Sequence, residues 1–593
     1  MNSCQILIVS PDYSLQTENL ENCFYVGNSY AIFNVLKSRG VYSLQPFYLT
    51  AINKIKTILI NLDSYFNDNL VGNLSDTVNY NRYISNFVDY FIKAQIIVDL
   101  VEKYKKIIII IDSQEQVEVF NKFFIINNYT CQVVSKNFVS QVHWIKYLKS
   151  IKAKLSAIFY EITMILSLRK IREKLNIPFN SKIQDKDVFL FSWINTTIFE
   201  QDNFWQANGY FGSFPDFVRK TKNVGVLAKI IYGSPDYKEI FTKAIQNCAE
   251  IVFIQDYITV VDVLKAHFEH CKLLYNANSN VNLKVENINF SSIVKFSLYK
   301  DLLGVNFSQA IIHYQAFKKF LLLTTKSKIQ IFYPFENQAW ERALLLAKSM
   351  YSNDIKCIAY QFFPIPVNLL IQYFSNLKLK ANLLPDQICT SDLISHQAFA
   401  SQNINVYKLA SFRYEQQLNL NPNLEANFNK KIILCATFLD SNESIELSLK
   451  SAEATKNSNF TLWINFHPLI PIELKNNIKI MLNSYNHIKI CDVNIKNLLP
   501  QVGMVLYNGA SICYDAVLNG IPCIYVKSDM QIDLNRFDGN IMKSFLDPTE
   551  GTLIINDVFA NKQYYVSYTQ SLLDAAKARI FNVNQERLEK VLQ

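Results

Sequence analysis

Short apolar runs, each ended by a polar or glycine-containing turn and followed by a helical pattern, recur along this chain. Such runs are typical of βαβ units, which build parallel sheets. One series occupies 431–437, 460–466, 487–491, 502–507 and 522–526. An earlier series occupies 188–193, 224–229, 250–254, 328–333 and 355–360. The pattern predicts an α/β protein with two Rossmann-like domains.

The N-terminal part of the chain predicts a further α/β domain. Its apolar runs at 5–9, 56–61, 106–111 and 131–135 alternate with helical stretches near 28–39, 80–104 and 115–126. A chain of 593 residues exceeds what one hydrophobic core usually organises, so several domains are expected. We predict an N-terminal α/β domain (1–143), a helical connector (144–180), two Rossmann-like domains (181–425 and 426–565) and a C-terminal helix (566–593).

The helical connector has two possible roles. Trp144 to Leu175 predicts one long helix or a helix pair, with lysines and arginines toward both ends and apolar residues such as Phe159 and Leu166 between them. A basic amphipathic helix can lie on anionic lipid, whereas the same pattern also suits a connector or core helix. Both interpretations stay open at the level of sequence.

Composition restricts the class of protein. Half of the residues are apolar and 18% are charged, which indicates a packed globular chain. The net charge of +9 is spread out, so nucleic acid is not an expected partner, whereas anionic small molecules or a membrane surface are. No apolar run approaches the roughly 20 residues that span a bilayer, and no secretory signal is evident. We expect a cytoplasmic protein, with a peripheral position on the inner face of the cytoplasmic membrane left open.

The cysteines and histidines predict no metal site. The eleven cysteines include no CxxC spacing, which indicates reduced thiols in the core. His267, His270 and Cys271 lie close together, but no second ligand cluster accompanies them.

A ligand site is predicted at the carboxyl edge of the second Rossmann-like domain. His467 and Pro468 end one apolar strand, which places an imidazole where it can donate to a phosphate or protonate a departing one. The turn at 508–511 precedes a helix, whose opening N–H groups attract anions. Asp515, one helical turn further, can accept from a ribose hydroxyl or simply complement the helix dipole. The candidate donor-binding residues are Thr437, Asn508, Gly509, Ala510, Ser511 and Asp515.

The first Rossmann-like domain carries the other candidates. Glu336 follows a strand that ends at Pro334, so it can deprotonate an acceptor hydroxyl or merely cap the next helix, whereas a structural role is favoured for Glu341. The candidate sugar- or acceptor-binding residues are Gly212, in an aromatic loop over 209–216, Gln361, at a strand end, and Arg413, which can neutralise phosphate or form an ordinary ion pair.

Taken together, these residues resemble GT-B glycosyltransferases of bacterial surface-polysaccharide assembly, in particular the surface carbohydrate biosynthesis proteins. The likeness rests on 210–215, 333–341 and 359–361 together with the His-Pro and Asn-Gly-Ala-Ser elements. These last two elements are also similar to the donor site of bacterial sialyl- and Kdo-transferases. In that comparison His467 and Ser511 contact the phosphate of a CMP-sugar. The chain departs from the pattern at Ala510, where paired Ser or Thr is usual, and at Phe362, where related groups have His.

The resemblance implies a GT-B fold and a metal-independent glycosyltransferase. The enzyme would move a sialic acid- or Kdo-like sugar from a nucleotide donor to a capsule or O-antigen polysaccharide or to its lipid-linked precursor. A CMP-sugar is favoured over a UDP-sugar as co-substrate, and no other cofactor is expected. Two alternatives stay open: a polyol-phosphate transferase of the teichoic-acid type, and a non-catalytic scaffold that binds a nucleotide-sugar.

Overall fold

The computed structural model describes most of the chain. The described residues are 5–10, 22–61, 85, 87–134, 142–177, 179, 185–196, 199, 210–231, 234–248, 250–276, 283–285, 287–324, 328–351, 354–374, 383–468, 470–537 and 539–593.

The N-terminal domain is built on a four-stranded parallel sheet with the strand order β2-β3-β1-β4. Beyond their first residues, β1 and β3 are fully buried, as expected for a parallel sheet covered on both faces. The elements are β1 (Gln5–Val9), β2 (Cys23–Tyr25), α1 (Tyr30–Lys37), α2 (Gln45–Asn61), α3 (Phe87–Lys103), β3 (Lys106–Ile110), α4 (Gln114–Ile126) and β4 (Thr130–Val134).

One prediction for this domain is wrong. The apolar run at 56–61 was expected to be a strand, but it forms the last turns of α2. The buried side chains Ala51, Ile52, Ile55 and Leu59 recur at the spacing of a helix face, so the run continues a helical pattern that begins earlier. A short apolar run cannot by itself distinguish a strand from a buried helical segment.

The first lobe is a seven-stranded parallel sheet with the order β13-β12-β11-β10-β5-β6-β7. The chain adds strands outward from β5 in one direction and then returns to add them on the other side from β10. The topological switch point therefore lies between β5 and β10. The elements are α5 (Val142–Lys174), β5 (Val188–Ile194), α6 (Phe214–Arg219), β6 (Val224–Ile230), α7 (Tyr237–Asn247), β7 (Ile251–Phe253), α8 (Val260–Asn276), the short pair β8 (Lys284–Val285) and β9 (Ile288–Asn289), α9 (Ser291–Leu303), α10 (Asn306–Leu323), β10 (Lys328–Pro334), α11 (Ala339–Lys348), β11 (Asp354–Gln361), β12 (Gln387–Thr390), α12 (Leu393–Ala400), β13 (Val406–Lys408) and α13 (Glu415–Leu418).

The second lobe is a six-stranded parallel sheet with the order β16-β15-β14-β17-β18-β19, and its switch point lies between β14 and β17. The elements are β14 (Ile432–Ala436), α14 (Ser441–Thr455), β15 (Thr461–Asn465), α15 (Ile472–Met481), β16 (Ile488–Ile490), α16 (Ile495–Leu498), β17 (Met504–Tyr507), α17 (Ile512–Leu518), β18 (Cys523–Val526), β19 (Ser544–Phe545), α18 (Pro548–Ala560), α19 (Lys562–Arg579) and α20 (Gln585–Val591).

The C-terminal segment links the two lobes. Sequence predicted one helix from residue 566 onward, whereas the structure has α19 and α20 with a break between them. Leu588 and Val591 of α20 pack into the core of the first lobe, beside Val188. The chain therefore crosses back from the second lobe to the first, and the proposed domain boundaries stay predictions.

The N-terminal domain packs on the first lobe through aromatic contacts. The rings of Phe91 and Phe290 lie 4.3 Å apart, and those of Tyr90 and Phe296 lie 5.6 Å apart. One continuous apolar cluster consequently extends from the N-terminal sheet into the first lobe. Among the helices that the structure describes, none combines the length and hydropathy needed to cross a bilayer.

Candidate functional site

The carboxyl edges of the two large sheets meet. Arg536, beyond the end of β18, donates from Nη1 to the carbonyl of Pro364, beyond the end of β11. Asn368 Nδ2 donates to the carbonyl of Asp533 over 2.9 Å. Ligands of doubly wound sheets bind outside the carboxyl ends of the strands, at the switch points. The junction of the two lobes is therefore the candidate site.

Three adjoining strands of the second lobe bring the predicted donor-side residues to one edge. Thr437 follows β14, His467 follows β15 and Ser511 lies four residues beyond β17, in the order β15-β14-β17. The backbone N–H of His467 donates to Thr437 Oγ1 over 3.1 Å. Because neighbouring strands are about 5 Å apart, the ends of β15 and β17 lie about 10 Å from each other. The sheet thus places the imidazole and the serine hydroxyl at the same edge.

His467 and Ser511 are both partly accessible to solvent. Burial lowers the pKa of His467 below its ordinary value, so the imidazole is neutral at pH 7. Ser511 is the N-cap residue of α17, but its side chain makes no capping bond to that helix. These are the two donor-side groups best placed to meet a ligand.

The turn before Ser511 is less open than the sequence predicts. Asn508 and Ala510 are buried, and Asn508 Nδ2 donates to the carbonyl of Glu443 over 3.1 Å. Gly509 has φ +138°, and its carbonyl accepts from Arg536 Nε over 2.7 Å. The three residues before Ser511 therefore have a structural role at this edge. Of the turn that was expected to bind phosphate, Ser511 is the residue that stays a candidate ligand.

A loop that sequence analysis did not single out covers this turn. It spans 527–537 and is called the cleft loop below. A Cβ atom added to Gly509 would lie 3.3 Å from Leu534 Cβ, so Leu534 sits directly on the turn. The signal that could have identified the loop is its polar sequence, with Asp529, Asp533 and Arg536, after the apolar strand β18.

The cleft loop is also held by the N-terminal domain. Asp529 pairs with Lys37 of α1 over 3.1 Å and with Lys450 of α14 over 3.0 Å. Tyr48 of α2 donates its hydroxyl to the carbonyl of Met530 over 2.7 Å. Since Asp529 and Lys450 are almost wholly buried, this end of the loop is fixed by desolvated ionic contacts.

Asp515 and Arg413 engage each other. Arg413 Nη2 lies 3.1 Å from Asp515 Oδ2, and the Asp515 side chain is buried. Tyr414 donates its hydroxyl to the carbonyl of Ser511 over 3.4 Å. This contact is the ordinary ion pair that the sequence left open for Arg413, whereas the ribose contact of Asp515 and the phosphate contact of Arg413 stay predictions. The pair joins the segment between the lobes to α17.

Glu336 lies in the loop after β10, at the switch point of the first lobe. Burial raises the pKa of Glu336 to about 7. Its Oε2 accepts from Gln338 Nε2. Burial, together with the nearby Glu336 carboxylate, raises the pKa of Tyr210. The Tyr210 ring meets Phe362 edge to face, with centroids 4.9 Å apart. A carboxylate with a near-neutral pKa beside aromatic rings is suited to take a proton from a hydroxyl group.

Glu341 performs a structural role beside Glu336. Its Oε1 accepts the backbone N–H of Glu336 over 2.9 Å and that of Gln338 over 2.8 Å, which closes a capping box at the start of α11. Burial raises the pKa of Glu341 to about 8. The loop that carries Glu336 is thereby fixed to α11.

The loop also contacts the segment of the first lobe that reaches the cleft loop. Asn337 Nδ2 donates to the carbonyl of Ile371 over 2.9 Å, close to the point where Asn368 reaches the cleft loop. Glu336 therefore belongs to the lobe junction.

Gln361 and Gly212 are structural residues. Gln361 is fully buried, its Oε1 accepts from the backbone N–H of Ser391 over 3.0 Å, and its Nε2 donates to Asp392 over 3.2 Å. Gly212 has φ +49°, and a Cβ there would meet Phe412 Cβ at 2.7 Å. The fold thus uses the amide of Gln361 and the small size of Gly212, which is partly accessible. The sugar contacts of both residues stay predictions. Gly209 lies outside the described residues.

The three clustered residues of α8, His267, His270 and Cys271, lie beside Lys154. His270 Nε2 lies 2.6 Å from the carbonyl of Leu302, and burial lowers the pKa of both His267 and His270 to about 4. Within the described ranges, no group of three His, Cys, Asp or Glu residues is arranged to hold a metal ion.

The strand orders, the two switch points and the facing carboxyl edges define an α/β protein with a GT-B-like fold, as predicted from the sequence. No protein-family model matches the chain, and no curated protein matches it.

Solved structures give low-identity likenesses. S. aureus MnaA in a co-structure with UDP is 9% identical, with a TM-score of 0.39 over 69% of this chain and 95% of that one. UDP-GlcNAc 2-epimerase from Neisseria meningitidis bound to UDP-GlcNAc is 11% identical, with a TM-score of 0.39 over 68% and 98%. Acinetobacter baumannii MurG is 10% identical, with a TM-score of 0.37 over 68% and 98%.

Proposed function

We propose that the protein is a glycosyltransferase that takes a sugar from a nucleotide donor. The observation that supports this proposal is that strand-end loops of the two lobes meet at the carboxyl edges on which both switch points lie. One contributes His467 and Ser511, which suit a phosphate, and the other contributes Glu336, which suits a hydroxyl group. A donor and an acceptor bound between the lobes would then meet at this junction.

Each group has a defined task in the proposed reaction. The acceptor oxygen bonds to the anomeric carbon as the bond from that carbon to the donor phosphate breaks. Glu336 takes the proton of the acceptor hydroxyl, for which a pKa of about 7 is well matched at neutral pH. The neutral imidazole of His467 donates a hydrogen bond to the departing phosphate, and Ser511 donates another.

The donor and acceptor classes belong to the same proposal. We favour a CMP-sugar over a UDP-sugar, with a sialic acid- or Kdo-like sugar, because the His-Pro pair and the serine-bearing turn resemble that donor site. The acceptor would be a bacterial surface polysaccharide or its lipid-linked precursor, and the reaction would take place in the cytoplasm. Since the side chains of His467 and Ser511 would meet the phosphate, the proposal requires no divalent cation.

The experiment that tests the proposal uses the full-length chain with CMP-, UDP- and GDP-sugars and with a CDP-polyol. Nucleotide release and thermal stabilisation are measured for each donor, with and without EDTA. We expect release of CMP that EDTA leaves unchanged. Absence of both release and stabilisation with every donor would contradict the proposal, and phosphorus in the transferred group would identify a polyol-phosphate transferase instead.

A specific observation favours a second candidate, a non-catalytic scaffold that binds a nucleotide-sugar. Leu534 of the cleft loop lies on Gly509, and Arg536 holds that glycine's carbonyl, so the predicted phosphate turn is covered. Ligand-induced stabilisation without turnover of any donor would support the scaffold.

A further inference from the structure

Helices α5 and α8 form an antiparallel pair on the outside of the first lobe. Near the start of α5, Lys154 lies beside His267 and His270 of α8 and influences the pKa of both. Near the end of α5, Arg172 pairs with Asp256, four residues before α8 begins, over 2.7 Å. The two helices therefore run alongside each other in opposite directions.

The inner faces of both helices belong to the core, which settles the main role of α5. Ala157, Ile165 and Leu168 of α5 are fully buried, as are Val263 and Ala266 of α8. Of the apolar residues that suggested an amphipathic surface helix, Ile165 faces the protein interior. The long helix is thus a packed element of the lobe.

The outer faces nevertheless expose large apolar side chains. Phe159 of α5 is 73% exposed and Phe268 of α8 is 74% exposed. Scattered exposed apolar residues are ordinary, but on each of these two helices they recur at intervals of three, four or seven positions along one face, and such a stripe marks an interaction surface. We call this group the apolar ridge, and its members are Leu155, Phe159, Leu166, Val261, Leu264 and Phe268.

Exposed lysines flank the ridge on both helices. They are Lys149 and Lys152 on α5 and Lys265 and Lys272 on α8, and none of the four has an ion-pair partner among the residues that the structure describes.

The acidic residues near the ridge are largely neutralised or buried. Asp262 is paired with Lys319 over 2.5 Å, and Glu161 is buried beside Lys229. Glu269, next to Phe268, is partly exposed. The four lysines outnumber this carboxylate, so the ridge combines protruding apolar groups with an excess of positive charge.

We propose that the apolar ridge docks the protein on the surface of an anionic lipid bilayer. The exposed apolar side chains of these two antiparallel helices can enter the boundary between headgroups and acyl chains. Lysine side chains reach from such a face to anionic headgroups while their stems stay among apolar groups. Docking needs no catalysis, so it does not depend on the proposed transferase activity.

The test is flotation of the full-length protein with vesicles of phosphatidylcholine alone or mixed with phosphatidylglycerol. The wild type should bind the mixed vesicles, and binding should weaken with added salt because the lysine contribution is screened. The variant Phe159→Ser/Phe268→Ser should reduce the bound fraction at least about tenfold, since both apolar anchors are lost. Both side chains are mostly exposed, so the variant should retain the wild-type circular dichroism spectrum and melting temperature.

A matched control is the variant Ile472→Ser/Ile480→Ser on α15. Its two isoleucines are 74% and 73% exposed, so it removes similar apolar surface from the other lobe. This control should float like the wild type. Absence of wild-type binding to anionic vesicles, or equal losses in the two variants, would overturn the proposal. So would a concentration-dependent dimer that only the ridge variant loses, because the ridge would then bind a second copy of the chain.

Discussion

Arg579, the last residue of α19, donates from Nε to Asp392 Oδ1 of the first lobe over 3.1 Å, and both side chains are almost wholly buried. Arg579 Nη2 also donates to the carbonyl of Ile365 over 2.8 Å. The contact lies where the chain leaves the second lobe, so it ties the crossing segment to strand-end loops of the first.

Removing Arg579 should therefore destabilise the protein strongly. The substitution Arg579→Met leaves Asp392 buried without its cation, for which we expect a loss of about 3–5 kcal/mol in the free energy of unfolding. Equilibrium denaturation in urea measures this loss. The control Lys456→Met removes an exposed pair with Glu453 and should change stability by less than about 1 kcal/mol. Similar values for the two variants would contradict the prediction.

Replacing His467 should reduce transfer without unfolding the protein. We expect His467→Ala to lower kcat/KM by about 10² to 10⁴, the range typical of a group that assists the leaving phosphate. His487 is the matched control, because it lies at the opposite edge of the same sheet, with Nε2 2.9 Å from Thr455 Oγ1. His487→Ala should leave kcat/KM nearly unchanged. Steady-state kinetics with the donor identified by screening decides between these outcomes.

The pH dependence of transfer should reflect the ionisation of Glu336. Because the base must be ionised, kcat/KM should rise with pH and level off above an apparent pKa of about 7. Glu336→Gln should abolish most activity together with this rising limb. If the rising limb of the pH profile persists unchanged in Glu336→Gln, that limb reflects the ionisation of another group.

The pH dependence of stability should reflect the ionisation of Glu341. Burial raises its pKa to about 8 from an ordinary value near 4.5, so the folded state keeps a proton that the unfolded state has released between these values. The contribution of Glu341 to the free energy of unfolding should therefore be greatest below pH 4.5. It should fall as pH rises to 8, by up to roughly 1.4 kcal/mol per pH unit. Glu341→Gln should flatten this slope in unfolding experiments from pH 5 to 8, and an unaltered slope would contradict the assignment.

Gly509 should resist substitution. Alanine is strained at φ +138°, and its methyl group would press on Leu534 at 3.3 Å. We expect Gly509→Ala to weaken stabilisation by the donor nucleotide and to lower the melting temperature. Gly539→Ala is the control, since a Cβ there meets nothing within 4 Å. Equal melting temperatures and equal ligand shifts for both variants would show that the turn tolerates the change.

The sheets were largely predictable from sequence, whereas the contacts that decide the site were not. Apolar runs located the strands β14, β15, β17 and β18 to within about two residues because buried parallel strands leave a strong local signal. The contacts of Gln361 and Asp515 could not be predicted because their partners Ser391 and Arg413 lie 30 and 102 positions away in the chain. No local pattern encodes such pairings. The strand at Cys23–Tyr25 was missed because it has only three residues.

Because the cleft loop is anchored on Lys37 and Tyr48, the protein should tolerate few truncations or exchanges of whole domains. A truncated chain that starts after residue 143 would leave Asp529 and Lys450 without their N-terminal neighbours and would uncover Met530. Exchange of the second lobe between relatives would succeed only if helices α1 and α2 travelled with it. The first sixty residues and the loop beyond β18 thus depend on each other for their structure, although most of the sequence separates them.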